Sequence, residues 1–318
     1  MADKPRSGWA KELQLELAQA LARLWDGLRA QPLDRYAFRR LVREASQILG
    51  EAGVSSPGND ARVLAELVVG TSLVRCEGAS EQQAGRFLDL VERRAAREPL
   101  QHLTGRMWFR GLELEARPGV FIVRPETEVV AGVAIDAARR ALAARVGQVP
   151  LAVDLCTGSG AIAAALATEV PSARVLAVEL DAVALALART NCEHLVPGRV
   201  EFLQADATAP GTLAQLDGTA DVVVSNPPYV PAGALEDVET QQHDPALALF
   251  GGGADGLSVP VGVVTRAASL LRPGGVLVME HDAGQGAALR QAAMDAGLTE
   301  ARTGQDLTGR DRYLQAWR

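Results

Sequence analysis

Asp154, Gly158, Gly160, Glu179, Asp206 and Asn226 are the residues whose types and spacing point to chemistry. The stretch "VDLCTGSGAIAAALA" (Val153 to Ala167) sets two glycines between a strand-like apolar run and an alanine-rich helical run. Glycine there lets the backbone turn tightly and come close to a ligand. The spacing is D-x-x-x-G-x-G, with Cys156 where a further glycine is often found, so the dinucleotide fingerprint G-x-G-x-x-G is not met. The next strand ends in Glu179, nineteen residues past Gly160, where a carboxylate can accept both hydroxyls of a ribose. The third strand ends at Asp206, near the expected position of an adenine ring. Three such strand ends describe a nucleoside site with little or no phosphate. No G-K-[ST] follows the loop, and Asp154 would repel a polyphosphate. S-adenosylmethionine carries an adenosine and a cationic amino-acid tail, and Asp154 suits that cation. The bland alternative makes Asp154 a turn former and Glu179 and Asp206 solvated strand ends.

A second constellation is "SNPPYV" (Ser225 to Val230), which follows the β-branched run "DVVV". Pro227 and Pro228 forbid the strand to continue, and Asn226, preceding a proline, is held extended. A rigid polar corner at the carboxyl end of a buried strand is where open α/β sheets bind ligands. A stiff turn without chemistry is the competing reading. The corner resembles the [ND]-P-P-[YF] motif of methyltransferases that modify planar NH2 groups. An amide nitrogen is a poor nucleophile because its lone pair is delocalised into the carbonyl. The Asn226 side-chain oxygen and the Pro227 carbonyl can grip its two N–H groups, and Tyr229 can pack against its plane. The contribution is positioning and electrostatics.

The elements that must position these residues follow from pattern. The 318 residues, 48% hydrophobic and 22% charged, allow a large core and about two domains. A net charge of −7 argues against broad binding to a nucleic-acid backbone. Cys76, Cys156 and Cys192 match no C-x-x-C spacing and the four histidines form no ligand cluster, so no metal site is expected. That cysteine usage suits a reducing cytoplasm. No signal peptide opens the sequence, and no apolar run approaches the roughly 18 residues that span a bilayer. Leu13, Leu17, Leu21, Leu24 and Leu28 form one stripe, predicting an extension helix within 1–35 that Pro32 ends. Residues 36–98 read as a small helical domain: one helix with Phe38, Leu41, Val42, Ala45, Ile48 and Leu49 on one face, a second from Asp60, a third from about Ser80. Their charged faces read as solvated. Residues 99–124 predict a β-hairpin, with "LELEA" and "VFIV" on either side of the "RPG" turn. From 125 to 318, helix alternates with strand. The strands are "PLAVDLC", "RVLAVEL", "VEFLQAD", "ADVVVSN", "GGVLVMEH" and "DRYLQAW". That order predicts an α/β fold with a doubly wound, mostly parallel sheet.

Over about Phe38 to Arg318 the chain resembles the release-factor glutamine methyltransferases. The matching pieces, in family order, are "PLQHLTGRMWFRG", "VFIVRPETE", "DLCTGSGAIA", "AVELD", "SNPPYV", "QHDPALALFGGGADGL" and "LRPGGVLVMEHDAGQ". The resemblance implies methyl transfer from S-adenosylmethionine to the side-chain amide of the glutamine in the Gly-Gly-Gln loop of class I peptide-chain release factors. It implies that Cys156, Thr157, Gly158, Ser159, Gly160 and Glu179 bind the cofactor, with Ala207 by the adenine. It implies that Asn226, Pro227, Pro228 and Tyr229 hold the glutamine, and that Arg124 and Glu126, in "RPETE", shape the cleft wall. Cys156 departs from the usual glycine and Ala207 from a bulkier residue, and both are expected to weaken cofactor affinity. "EHD" (Glu280 to Asp282) departs from the usual strand ending and has no role in this reading. Three alternatives stay open: a ribosomal-protein glutamine methyltransferase, a nucleic-acid exocyclic-amine methyltransferase needing a base-flipping pocket, and a non-catalytic adenosine-binding module.

Overall fold

The computed structural model describes residues 33–145, 147–234 and 237–318. The leucine-striped helix expected over residues 11–30 lies outside them. The chain forms two compact units, one up to Gly105 and one from Arg106.

The first unit is helical. Strand β1 (Leu33–Asp34) pairs with β2 (Gly78–Ala79) beside helices α1 (Arg35–Glu51), α2 (Pro57–Val69), α3 (Glu81–Ala95) and α4 (Leu100–Thr104). Local signals set each boundary. Asp34 caps α1 by accepting from the Tyr36 and Ala37 amides at 2.9 and 2.8 Å. Pro57 opens α2, and Gly70 closes it in the left-handed region at φ 71°. Ser80 and Gln83 form a capping box on α3. The core joins the expected stripe of α1 to α3, with the Phe38 and Phe87 rings edge to face at 5.8 Å. Two expectations are corrected. The second helix begins at Pro57, three residues before Asp60. Asp60 is not on a solvated face either: its carboxylate is buried against Arg94 Nε at 2.8 Å.

The second unit opens with a hairpin, β3 (Arg106–Phe109) and β4 (Leu112–Glu115), closed by Arg110 and Gly111. Both loop residues have positive φ (48° and 78°), the two-residue turn whose twist matches paired strands. "LELE" is a strand as expected, but its partner is "RMWF"; "VFIV" forms no strand. Helix α5 (Thr127–Ala144) leads into the sheet: β5 (Leu151–Leu155), α6 (Ala161–Glu169), β6 (Arg174–Glu179), α7 (Ala182–Leu195), β7 (Val200–Gln204) and β8 (Ala220–Ser225). Short helices α8 (Val238–His243) and α9 (Ala246–Leu249) follow. Then come α10 (Ser258–Leu270), β9 (Leu271–Glu280), α11 (Gly286–Asp295), β10 (Glu300–Gln305) and β11 (Asp311–Trp317). The seven-stranded order is β10-β11-β9-β8-β5-β6-β7, parallel from β9 to β7 and antiparallel where β11 pairs with β9 and β10. The doubly wound, mostly parallel sheet is thus confirmed. It has one strand more than expected, since β10 ("EARTGQ") is polar and lies at an edge.

Topology places the site. From β5 the chain winds through β6 and β7 to one side, then returns to β8 and β9 on the other. The order therefore switches between β5 and β8, whose carboxyl ends face a crevice. Leu155 pairs in register with Ser225, so Cys156 and Asn226 leave adjacent strands at one level. Both strands are buried along their whole length.

Candidate active site

A cleft of about 520 Å³ opens at that switch point. On one side stand the loop after β5 and the ends of β6 and β7. On the other stand the corner after β8, the segment leading to α5, and α8 and α9. Six carboxylates line it (Glu126, Glu179, Asp181, Asp206, Asp237, Asp282) against two guanidiniums, Arg124 and Arg312. That balance suits a cationic ligand and opposes a polyphosphate.

The loop turns through two left-handed glycines, Gly158 at φ 56° and Gly160 at φ 82°. A Cβ on Gly160 would meet the Ala188 backbone at 3.1 Å, so glycine is what lets α6 lie against α7. Cys156 is also left-handed, at φ 60°, a strained conformation for a residue with a Cβ. The glycine more usual there would remove that strain. Burial pushes the Cys156 thiol far up, which disqualifies it as a nucleophile.

The end of β6 organises this loop. Glu179 Oε2 accepts from the Gly158 amide at 2.8 Å, and Oε1 from the Leu180 and Asp181 amides at 2.9 and 3.0 Å. Three of the four lone-pair positions of a carboxylate are thereby used, which fixes the group before any ligand arrives and leaves one position free where the sequence predicts two for a ribose. Asp206 caps its own turn, accepting from the Thr208 amide and hydroxyl at 2.8 and 2.7 Å, and Ala207 lies buried in the cleft wall.

Asp154 sits behind the loop and does not line the cleft, and the loop residues Thr157, Ser159 and Gly160 do not line it either. Thr157 Oγ1 donates to Asp154 Oδ2 at 2.6 Å. Asp154 Oδ1 has no well-formed hydrogen bond, and the Ala163 amide lies close enough to the carboxyl to favour its charged form. Burial pushes this carboxyl up to about 7, with the neighbouring Glu179 charge adding to the shift. An orphaned buried acid beside a ready-made turn fits a ligand that brings positive charge.

The opposite wall is the corner. Asn226, Pro227, Pro228 and Tyr229 all line the cleft. Asn226 Nδ2 donates to Thr127 Oγ1 at 3.2 Å, and Tyr229 OH donates to Glu280 Oε1 at 3.1 Å. Glu280, 1% exposed at the end of β9, is pushed up to about 7 by burial, although hydrogen bonding from Thr127 and Tyr229 and the Arg312 charge pull the other way. The glycine-rich segment after α9 clamps the corner from outside. The Val230 amide donates to Leu249 O at 2.8 Å, and the Gly251 amide to Val230 O at 3.1 Å. A Cβ on Gly251 or Gly256 would run into the Pro228 or Tyr229 carbonyl. Gln285 Nε2 donates to Tyr229 O at 2.8 Å and Asp255 O at 2.9 Å, tying clamp to corner. Arg124 lines the cleft but is engaged: it donates to Asp244 Oδ2 at 2.5 Å and Thr240 Oγ1 at 3.0 Å, and its guanidinium lies over the Phe121 ring. Glu126 lies in the same wall.

The structure therefore gathers Arg124, Glu126, Cys156, Gly158, Glu179, Asp206, Ala207 and the corner around one cleft. Thr127 falls in the "RPETE" segment expected to shape the cleft wall, and Glu280 in "EHD", which has no role in the sequence reading. The contacts of both with the corner were not anticipated, nor were Gln285 and the Gly251–Gly256 clamp. The clamp carried a signal in the run "FGGGADG"; the side-chain contacts of the corner carried none. Among the described residues, no group of three or more His, Cys, Asp or Glu could hold a metal ion.

Comparison with known proteins adds the family context. Residues 40–105 match the family "PrmC N-terminal domain", and residues 120–243 match "Methyltransferase small domain". The chain is 43% identical over 292 residues to a protein of Bifidobacterium longum named "Release factor glutamine methyltransferase", covering 87% of this chain and 98% of that one. It is 47% identical over 279 residues to the Streptomyces coelicolor protein of that name, covering 86% and 96%. To the Mycolicibacterium smegmatis protein it is 44% identical over 285 residues, covering 88% and 98%.

Proposed function

The chain belongs to the release factor glutamine methyltransferase family, and on that premise we propose that its cleft methylates the Gly-Gly-Gln glutamine of class I release factors. When bound, S-adenosylmethionine supplies a methyl group already activated on a sulfonium. The residues of the chain have two tasks, to hold that donor and to present the acceptor. On the donor side Glu179, Cys156 and Gly158, with Asp206 and Ala207 beyond, form the nucleoside wall. Asp154, backed by Thr157, supplies the negative charge that a cationic tail calls for. On the acceptor side the Asn226 side-chain oxygen and the Pro227 carbonyl take the two amide N–H groups, and Tyr229, anchored at its hydroxyl, packs against the amide plane. Fixing that plane aims the nitrogen at the methyl, so the proposed contribution is orientation and hydrogen bonding.

One observation carries this reading. The corner and the glycine loop leave adjacent, register-matched strands into one cleft. The acidic lining speaks against a nucleic-acid substrate. No described helix is long and apolar enough to cross a membrane, and the proposed compartment is the cytoplasm. The test is methylation of a purified class I release factor with labelled S-adenosylmethionine, read by mass spectrometry of the Gly-Gly-Gln peptide. A single added methyl on the glutamine amide is expected. Label in bulk RNA, or in a release factor whose glutamine has been replaced, would overturn it.

A further inference from the structure

How well Asn226 can receive an amide N–H depends on which end of its own amide faces the cleft. Its Nδ2 donates to Thr127 Oγ1. A threonine hydroxyl has one proton to give. Thr127, the fully buried first residue of α5, faces the Glu280 carboxyl with that hydroxyl. Glu280 Oε1 is taken by Tyr229 OH, while Oε2 has no well-formed hydrogen bond, and the Thr127 hydroxyl lies where it favours the charged carboxylate.

The direction of this chain follows from chemistry. An ionised carboxylate can only accept. It draws the Thr127 proton to itself, which leaves Thr127 as an acceptor for Asn226 Nδ2 and leaves Asn226 Oδ1 for the cleft. A protonated carboxyl can instead donate to Thr127, whose own proton then turns toward Asn226 and favours the flipped amide. We propose that Glu280 and Thr127 are positioning residues that lock the Asn226 amide with its oxygen toward the methyl-accepting NH2. The proposal rests on the reading that Asn226 holds the substrate glutamine. It gives "EHD" a role through Glu280. The groups facing Glu280 are Tyr229 from the corner, Thr127 and Glu126 from the start of α5, and Arg312 from β11; Arg312 favours the anion and Glu126 opposes it.

Glu280→Gln, Thr127→Val and Thr127→Ser test it by single-turnover methylation of a release factor at saturating S-adenosylmethionine across pH. In the wild type the rate should rise as pH passes through about 7. Glu280→Gln and Thr127→Val should each lose about tenfold or more well above that pH, the scale of one misplaced hydrogen bond. Both should lose the acid limb and keep cofactor affinity by calorimetry. Thr127→Ser should restore rate and limb. A limb due to Asp154, which titrates in the same range, would persist in Glu280→Gln and overturn the proposal. So would a wild-type rate in that variant. A second measurement needs no substrate. In isotope-labelled protein, the Asn226 side-chain NH2 resonance, assigned by its loss in Asn226→Ala, should titrate near pH 7 in the wild type and stay flat in Glu280→Gln. Titration in an enzyme that methylates no glutamine would support the hydrogen-bond chain and refute the functional reading; a resonance that does not titrate overturns the chain itself.

Discussion

The second unit buries acids in two ways, and the helical unit shows one of them. Asp221 of the second unit is a paired acid, between Arg145 at 2.7 Å and Arg272 at 2.6 Å. In the helical unit Asp60 is buried with its base beside it, Arg94 Nε at 2.8 Å. In the methyltransferase unit Asp154 and Glu280 are buried with hydroxyl partners, Thr157 for one, Tyr229 and Thr127 for the other. A guanidinium neutralises a buried carboxylate; a hydroxyl only softens its desolvation. Both acids of the second kind are pushed up to about 7, and both adjoin the cleft residues. The first arrangement holds a fold together. The second keeps a group poised between two protonation states, as functional sites do.

The largest expected effect comes from breaking the pair. Arg94→Ala strands Asp60 and should cost about 3–5 kcal/mol in denaturant unfolding, the scale for an uncompensated buried charge. The rate per folded molecule should stay at the wild-type value. Asp154→Asn should do the reverse. Asp154 has its folded pKa raised above its unfolded value, so between about pH 4 and 7 the folded chain keeps a proton that the unfolded chain releases. Its contribution therefore falls as pH rises through that window, and above it the full cost is present. Without cofactor, the variant should gain on the wild type progressively from pH 4 to 7, by as much as a few kcal/mol at about 1.4 kcal/mol per unit. It should also bind S-adenosylmethionine more weakly. Melts across pH, with and without cofactor, read both effects.

Asn226→Asp separates site from scaffold. One buried polar group left unpaired costs about 1–3 kcal/mol, so kcat/KM on a release factor should fall roughly tenfold to a hundredfold. Melting temperature and cofactor affinity should barely move; a folded variant with the wild-type rate would reduce "SNPPYV" to a turn. Glu179→Ala should weaken S-adenosylmethionine about tenfold by calorimetry, through loss of a charge-assisted acceptor and of the loop it holds. The smallest effect is expected from Cys156→Gly. Relief of the left-handed strain, less the entropy of a new glycine, should leave stability within about 1 kcal/mol of wild type, and cofactor affinity should rise.

The sheet centre was legible in the sequence because β5, β6 and β8 are buried on both faces and spell themselves as apolar, β-branched runs. The corner was legible because two prolines after such a run leave few conformations. The polar edge strand β10 escaped, having no apolar alternation to announce it. The hairpin was drawn around "RPG" because proline and glycine are loud turn signals. The actual turn is Arg110–Gly111, where an arginine adopts positive φ. Asp60 was read as surface because nothing near it in sequence names Arg94. The same blindness hid the contacts of Thr127 and Glu280 with the corner, although both lie in segments, "RPETE" and "EHD", that the sequence singles out. Their importance is a matter of contact across the fold, and composition and spacing record only neighbours along the chain.

The position of β5 and β8 at the middle of the sheet has a consequence for how the molecule fails. Each is flanked by a partner on both sides, β6 outside one and β9 outside the other. Amide protons in such strands exchange only when the whole unit opens, whereas edges such as β10 fray alone. Loop and corner spring from those inner strands, so the cleft is lost only in the final, cooperative opening. A preparation that is partly denatured should then contain fully competent and wholly incompetent molecules in proportion, with no population of half-active enzyme between them.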